Sequence, residues 1–125
     1  MKNHFNFRSR LKSFRYAFKG IIALVKTQHN VWIHLSITFA VIMAGILLNI
    51  SLIEWLFIIY AISMVLVAEG FNSAVEFLGD ALTKQHHELI EKAKDIGAGS
   101  VLIAAFAAAA IGLIVFLPHV SRLFR

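Results

Sequence analysis

The sequence predicts an all-α integral membrane protein: an N-terminal amphipathic surface helix followed by three transmembrane helices. Three observations carry that prediction. The chain has 125 residues, 59% of them hydrophobic, with 11 phenylalanines. Residues 31–50, 52–71 and 98–117 form three runs near the length of about 20 apolar residues that a bilayer crossing requires. The basic residues are not spread evenly but gather at particular ends of these runs. At this length, residues 1–125 are expected to form a single membrane-embedded domain. The absence of cysteine excludes disulfides, thiolate catalysis and Cys-ligated zinc.

Residues 1–30 come first. Phe7, Leu11, Phe14, Phe18, Ile21 and Val25 recur at three- and four-residue steps, with Arg8, Arg10, Lys12, Arg15 and Lys19 between them. That pattern predicts an amphipathic helix lying in a membrane interface, where its positive charge meets anionic lipid. The net charge of +5 thus implies a membrane partner, and no module for binding nucleic acid accompanies it. The apolar run 20–25 is too short for a signal peptide, and none is expected.

The first two spans are separated by little more than Asn49-Ile50-Ser51, which predicts a tight helical hairpin. Pro118 is expected to end the third, since proline cannot continue a helix. Lys and Arg set the orientation. Seven lie in residues 1–30 and three, Lys84, Lys92 and Lys94, in a loop expected over 72–97, whereas the hairpin turn has none. The N-terminus and the 72–97 loop are therefore expected on the cytoplasmic side. Trp32 and Trp55 fall near opposite interfaces, where indole rings prefer to sit. Ala104, Ala108 and Gly112 form a small-residue row that permits close helix packing.

The second span ends in a polar stripe. At about 100° per residue, Glu69 and Glu76 point within about 20° of each other and Asn72 lies about 60° away, with Asp80 one turn further on. Charge in or at the rim of a bilayer is expensive, so Glu69 reads as a functional residue. The seven-residue separation is about 10 Å along the axis. One carboxylate can then act on a lipid group while the other holds a metal at the water boundary. Glu76 and Asp80, four apart, can share a divalent cation with water and phosphate oxygens, as magnesium prefers. Lys94 supplies charge for phosphate, and Asp95 beside it can hold metal or orient the lysine. Asp80, Glu88, Glu91 and Lys92 read more simply as a solvated, salt-bridged helix end. His34 reads as a packing or interfacial histidine. His86 and His87 suit a loop near nucleotide better than a shared metal site, because adjacent residues face different ways on a helix. Three helices have little room to enclose a site, so an oligomer is expected.

The run Glu69-Gly-Phe-Asn72-Ser-Ala-Val-Glu76-Phe-Leu-Gly-Asp80, followed by Lys92-Ala-Lys94-Asp95-Ile-Gly-Ala-Gly-Ser100, closely resembles the prokaryotic diacylglycerol kinase family, which includes undecaprenol kinases. The resemblance extends through Arg15-Tyr16-Ala-Phe-Lys19-Gly20, through Asn30-Val-Trp-Ile-His34, and over all three spans. It implies a small homotrimeric enzyme of the bacterial cytoplasmic (inner) membrane. Such enzymes transfer the γ-phosphate of ATP, with Mg2+, to a lipid alcohol. Carried over by motif, Glu69 is the general base on the lipid hydroxyl, and Glu76 binds the metal that bridges the ATP phosphates. Asn72, Lys94 and Asp95 hold nucleotide, and Tyr16, Gln85, His86 and His87 contact ATP. The family commonly places a metal-binding glutamate where this chain has Gln28, an amide that offers oxygen but no charge. The 12–20 run and the Ile-Val-Phe-Leu-Pro118 ending look more like undecaprenol kinases, which puts undecaprenol ahead of diacylglycerol as acceptor. The alternative, a non-enzymatic transporter or assembly protein with a proton relay, leaves unexplained why the acids continue out of the span to meet Lys94 and Asp95.

Overall fold

The computed structural model describes residues 7–124, with side chains from residue 10 onward; Lys2 and Arg125 of the charge pattern lie outside the described residues. Four helices follow in order: α1 (Phe7–Thr27), α2 (His29–Leu47), α3 (Leu52–Leu82) and α4 (Glu88–Leu123). Among the described residues, α2, α3 and α4 are each long and apolar enough to span a membrane. The predicted class therefore holds, with different boundaries.

On α1, Leu11, Phe14, Phe18 and Ile21 are all exposed. An apolar face left uncovered by the other described residues, interleaved with lysines and arginines, suits the interface between headgroups and acyl chains. The helix stops at Gln28, whose extended backbone separates α1 from α2.

The hairpin is as tight as expected. The amide of Leu48 closes α2 onto the carbonyl of Ala44, and Asn49 takes a left-handed φ of 51° to reverse the chain. Ser51 then caps α3: its backbone N–H donates to Glu54 Oε2 at 2.7 Å, and its hydroxyl accepts from the Glu54 amide. Reciprocal caps of this kind satisfy two otherwise orphaned donors. Around the turn, Ile50, Ile58 and Val115 are buried, with Val41, Trp55 and Phe116 packed against them. Gly45 admits the Trp55 ring so closely that a Cβ there would sit 2.8 Å from Cη2.

Two expectations are corrected. The loop expected over 72–97 is mostly helical: α3 runs on to Leu82 and α4 begins at Glu88, leaving only residues 83–87 outside helix. At about 1.5 Å per residue, α3 is about 46 Å long, well beyond the roughly 30 Å hydrocarbon core, so its polar end projects past the bilayer. Nor does Pro118 end α4, which continues to Leu123. Beyond the proline, His119 Nε2 lies 2.9 Å from Glu54 Oε1, tying the last turns of α4 to the start of α3. Helices tolerate proline when neighbouring contacts hold the chain on course.

Candidate functional site

α3 and α4 pack closely along their length, while α2 touches α3 more sparingly. The α3 stripe turned toward its neighbours is Ile58, Ala61, Val65, Glu69, Asn72 and Ser73, all buried. Its spacing is helical throughout, but its chemistry changes from apolar to polar within two turns. Measured from Leu52, Glu69 lies about 26 Å along the axis and Glu76 about 36 Å. With α3 starting at one bilayer boundary, Glu69 falls just inside the other boundary and Glu76 just outside it.

Glu69 is 1% exposed, and its Oε2 has no hydrogen-bond partner among the described residues. His34 Nε2 on α2 lies 4.0 Å from that oxygen, too long for a hydrogen bond. Ser73 does not serve this carboxylate; its hydroxyl donates to the Glu69 backbone carbonyl at 2.8 Å. A membrane helix thus carries a buried carboxylate with one oxygen unpartnered among the described residues.

One turn further, Asn72 Nδ2 donates to Glu76 Oε1 at 3.1 Å. Gln28, at the α1–α2 break, donates through Nε2 to Glu76 Oε2 at 3.3 Å. Each oxygen of Glu76 therefore accepts one amide. The other end of Asn72, its Oδ1, is buried without a partner among the described residues. Gly97 of α4 makes room for that oxygen: a Cβ there would lie 2.5 Å from it.

These groups fit a hard cation. No cluster of three His, Cys, Asp or Glu side chains occurs among the described residues. Magnesium, however, commonly takes one or two carboxylates and completes its shell with water and phosphate oxygens. The Glu76 carboxylate and the orphaned Asn72 Oδ1 supply such oxygens. Gln28 adjoins them, with its amide turned to donate.

The structure redistributes the remaining candidates. Asp80 pairs with Lys94 Nζ across the α3–α4 seam. Asp80, not Asp95, therefore holds the lysine, and Asp95 is exposed. Gly79 lets Lys94 cross α3, since a Cβ there would meet the lysine Cε at 2.8 Å. Gln85, His86 and His87 are exposed in and beside the α3–α4 connection. The Gln85 backbone N–H donates to Thr83 Oγ1, His86 Nδ1 lies 3.4 Å from Glu91 Oε2, and His87 precedes the first turn of α4. Tyr16 is exposed on α1. The chain thus gathers Gln28, His34, Glu69, Asn72 and Glu76, and leaves Tyr16, Gln85, His86, His87, Lys94 and Asp95 around or beyond that core. The sequence reading gave His34 only a packing or interfacial role, and gave Gly97 none. Neither carries a local signal, because their partners are 35 and 25 positions away.

Comparison with known proteins bears on this arrangement. The family model described as prokaryotic diacylglycerol kinase matches residues 15–116. An undecaprenol kinase of Bacillus subtilis is 38% identical over 118 residues, covering 94% of this chain and 96% of that one. A diacylglycerol kinase of Synechocystis sp. is 39% identical over 114 residues, covering 90% of this chain and 65% of that one. A diacylglycerol kinase of Escherichia coli K12 is 29% identical over 117 residues, covering 87% of this chain and 89% of that one. The matched region contains the whole buried carboxylate and amide core, and the chain belongs to the prokaryotic diacylglycerol kinase family, a family of membrane-embedded lipid kinases.

Proposed function

We propose that this chain transfers the γ-phosphate of ATP, in the presence of Mg2+, to the primary hydroxyl of a membrane lipid alcohol, with undecaprenol preferred over diacylglycerol. The observation that carries the reading is the unpartnered Oε2 of Glu69, buried at the membrane end of a stripe whose water end is Glu76. In that role Glu69 accepts the proton of the lipid hydroxyl as its oxygen attacks phosphorus. His34, 4.0 Å away, helps to hold the hydroxyl. Glu76 and Asn72 Oδ1 would hold the cation, whose chemistry is to neutralise charge on the phosphates. Lys94 exchanges Asp80 for phosphate oxygens when nucleotide arrives. Tyr16, Gln85, His86, His87 and Asp95 surround the nucleotide. Phosphoryl transfer asks mainly for positioning and charge neutralisation, which this arrangement can supply.

The working assembly in this reading is a homotrimer in the bacterial inner membrane, with the N-terminus and the site on the cytoplasmic face. Tyr60, Met64, Val67 and Phe71 leave a face open to lipid or to a second copy. They form an exposed apolar row at four- and three-residue steps on the side of α3 away from the site. The 38% identity to an undecaprenol kinase over nearly the full length of both chains supports the lipid preference.

The test is competition between undecaprenol and diacylglycerol at equal mole fraction in mixed micelles, read as labelled phospholipid product. Both should be phosphorylated, because apolar tails discriminate by modest factors, about 10–200-fold per small feature. Undecaprenyl phosphate should dominate. A majority of phosphatidic acid reverses the lipid preference, and no product from either removes the kinase reading.

Gln28 gives a second prediction. Gln28→Glu would set a second carboxylate against Glu76, where Nε2 now donates. Two like charges at that distance repel until a cation stands between them. The variant should stay active and reach half its maximal rate at a lower Mg2+ concentration. Mn2+ binding followed by electron paramagnetic resonance should tighten in parallel. Curves identical to wild type would place Gln28 away from the metal.

A further inference from the structure

Gly97 lies inside α4, one turn beyond Lys94 and on the same face. Glycine is a poor helix former, and no glycine among the described residues has the positive φ that it alone adopts readily. Its use there is therefore a matter of space and not of backbone conformation. One group takes that space. A Cβ on Gly97 would lie 2.5 Å from Asn72 Oδ1, but 3.5 Å from the Cα and Cγ of Asn72, which is ordinary contact. We propose that Gly97 is a positioning residue for the cation: it seats the Asn72 carboxamide in the one orientation that gives Nδ2 to Glu76 and leaves Oδ1 for the metal. The proposal rests on the reading above, in which Glu76 and Asn72 Oδ1 hold Mg2+, and adds the residue that aims them.

Three observations support this role. The orientation of the amide is set chemically. A carboxylate only accepts, so the end that meets Glu76 Oε1 at 3.1 Å is Nδ2. Oδ1 is thereby turned the other way, onto Gly97, where it is buried without a partner among the described residues. Buried polar atoms are seldom left unpaired, and an exception calls for an ion, a water or a ligand. Next, a collision at Gly97 falls on the amide and not on the helix. The Asn72 Cα already stands at contact distance, so an added methyl displaces the one movable group, the carboxamide. Turning that group draws Oδ1 from its place and breaks the Nδ2 bond to Glu76. Finally, the contact is particular to this glycine. Gly99, two residues further along α4, would meet nothing within 4 Å, and Gly79 on α3 would meet Lys94 and Ile90. Groups that orient the ligands of a metal are typically worth about 10–100-fold in metal affinity.

The experiment uses the full chain in lipid nanodiscs and Mn2+ alone as the probe, followed by electron paramagnetic resonance. Gly97→Ala, Asn72→Ala, the double variant and Gly99→Ala are compared with wild type, with thermal unfolding as the check on folding. Gly97→Ala should bind Mn2+ about 10–100-fold more weakly. The Mg2+ concentration for half-maximal rate should rise in parallel while the KM for lipid holds. In the Asn72→Ala background the same substitution should cost less than about twofold, because the colliding amide is gone. Equal losses in both backgrounds overturn the proposal, since a distorted α3–α4 seam acts whether or not the amide is present. Wild-type affinity in folded Gly97→Ala overturns it too, as does an equal loss in Gly99→Ala, which should match wild type. If Gly97→Ala does not fold alone, the double variant decides. Its folding assigns the collision to the amide, and its failure overturns the proposal. Unchanged Mn2+ affinity in Asn72→Ala, or none in wild type, instead defeats the cation site of the reading above and takes the role of Gly97 with it.

Discussion

Glu69→Gln should reduce turnover by about 10²–10⁴-fold, the usual cost of removing a general base. The substitution is nearly isosteric and removes one charge from a site that is 1% exposed. Folding should therefore survive, since a neutral amide is easier to bury than an unpartnered carboxylate. Affinity for ATP should change little, because Glu69 sits about 10 Å along α3 from Glu76. The measurement is steady-state phosphorylation of undecaprenol in nanodiscs, with nucleotide binding and thermal unfolding followed in parallel. A folded variant that keeps more than about a third of wild-type turnover would show that Glu69 does not take the proton.

Glu76→Gln should act on the other substrate. Glu76 accepts one amide from Gln28 and one from Asn72, and it is the only carboxylate of the gathered core at the water boundary. Losing its charge leaves one oxygen and removes the strongest attraction for a cation. Hydrogen bonds to charged groups contribute about 1.5–3 kcal/mol each, so Mg-ATP affinity should fall by about 10–100-fold. The KM for lipid should move far less. Titration with Mg-ATP, and with Mg2+ at fixed ATP, separates the two effects. A wild-type magnesium requirement in this variant would remove Glu76 from the metal site.

Much of this protein is legible before any fold is known. Helix class and number follow from apolar runs of near-bilayer length, and the α1 surface pattern follows from residues three and four apart. The Glu69–Asn72–Glu76 stripe is readable because all three residues share one helix, where angle and rise depend on sequence spacing alone. Errors arose where local rules met long-range contacts. Pro118 should have stopped α4, but the anchor of His119 on Glu54, 65 positions away, lies across the helix pair. The loop expected over 72–97 follows from where the apolar runs stop, yet charged residues continue a helix readily once it leaves the bilayer.

By itself, the sequence determined the class of the protein, the membrane spans to within a few turns, and the polar stripe at the end of the α3 span. These are properties of local periodicity and of the cost of placing charge in lipid. Only the tertiary structure decided the partners. It set Gln28 against Glu76, His34 against Glu69, and Gly97 beneath Asn72, and it gave Lys94 to Asp80 rather than to Asp95. The physical reason is that such pairings depend on how separate helices cross and rotate against one another. That is settled by packing over the whole interface, and spacing within any one helix carries no record of it.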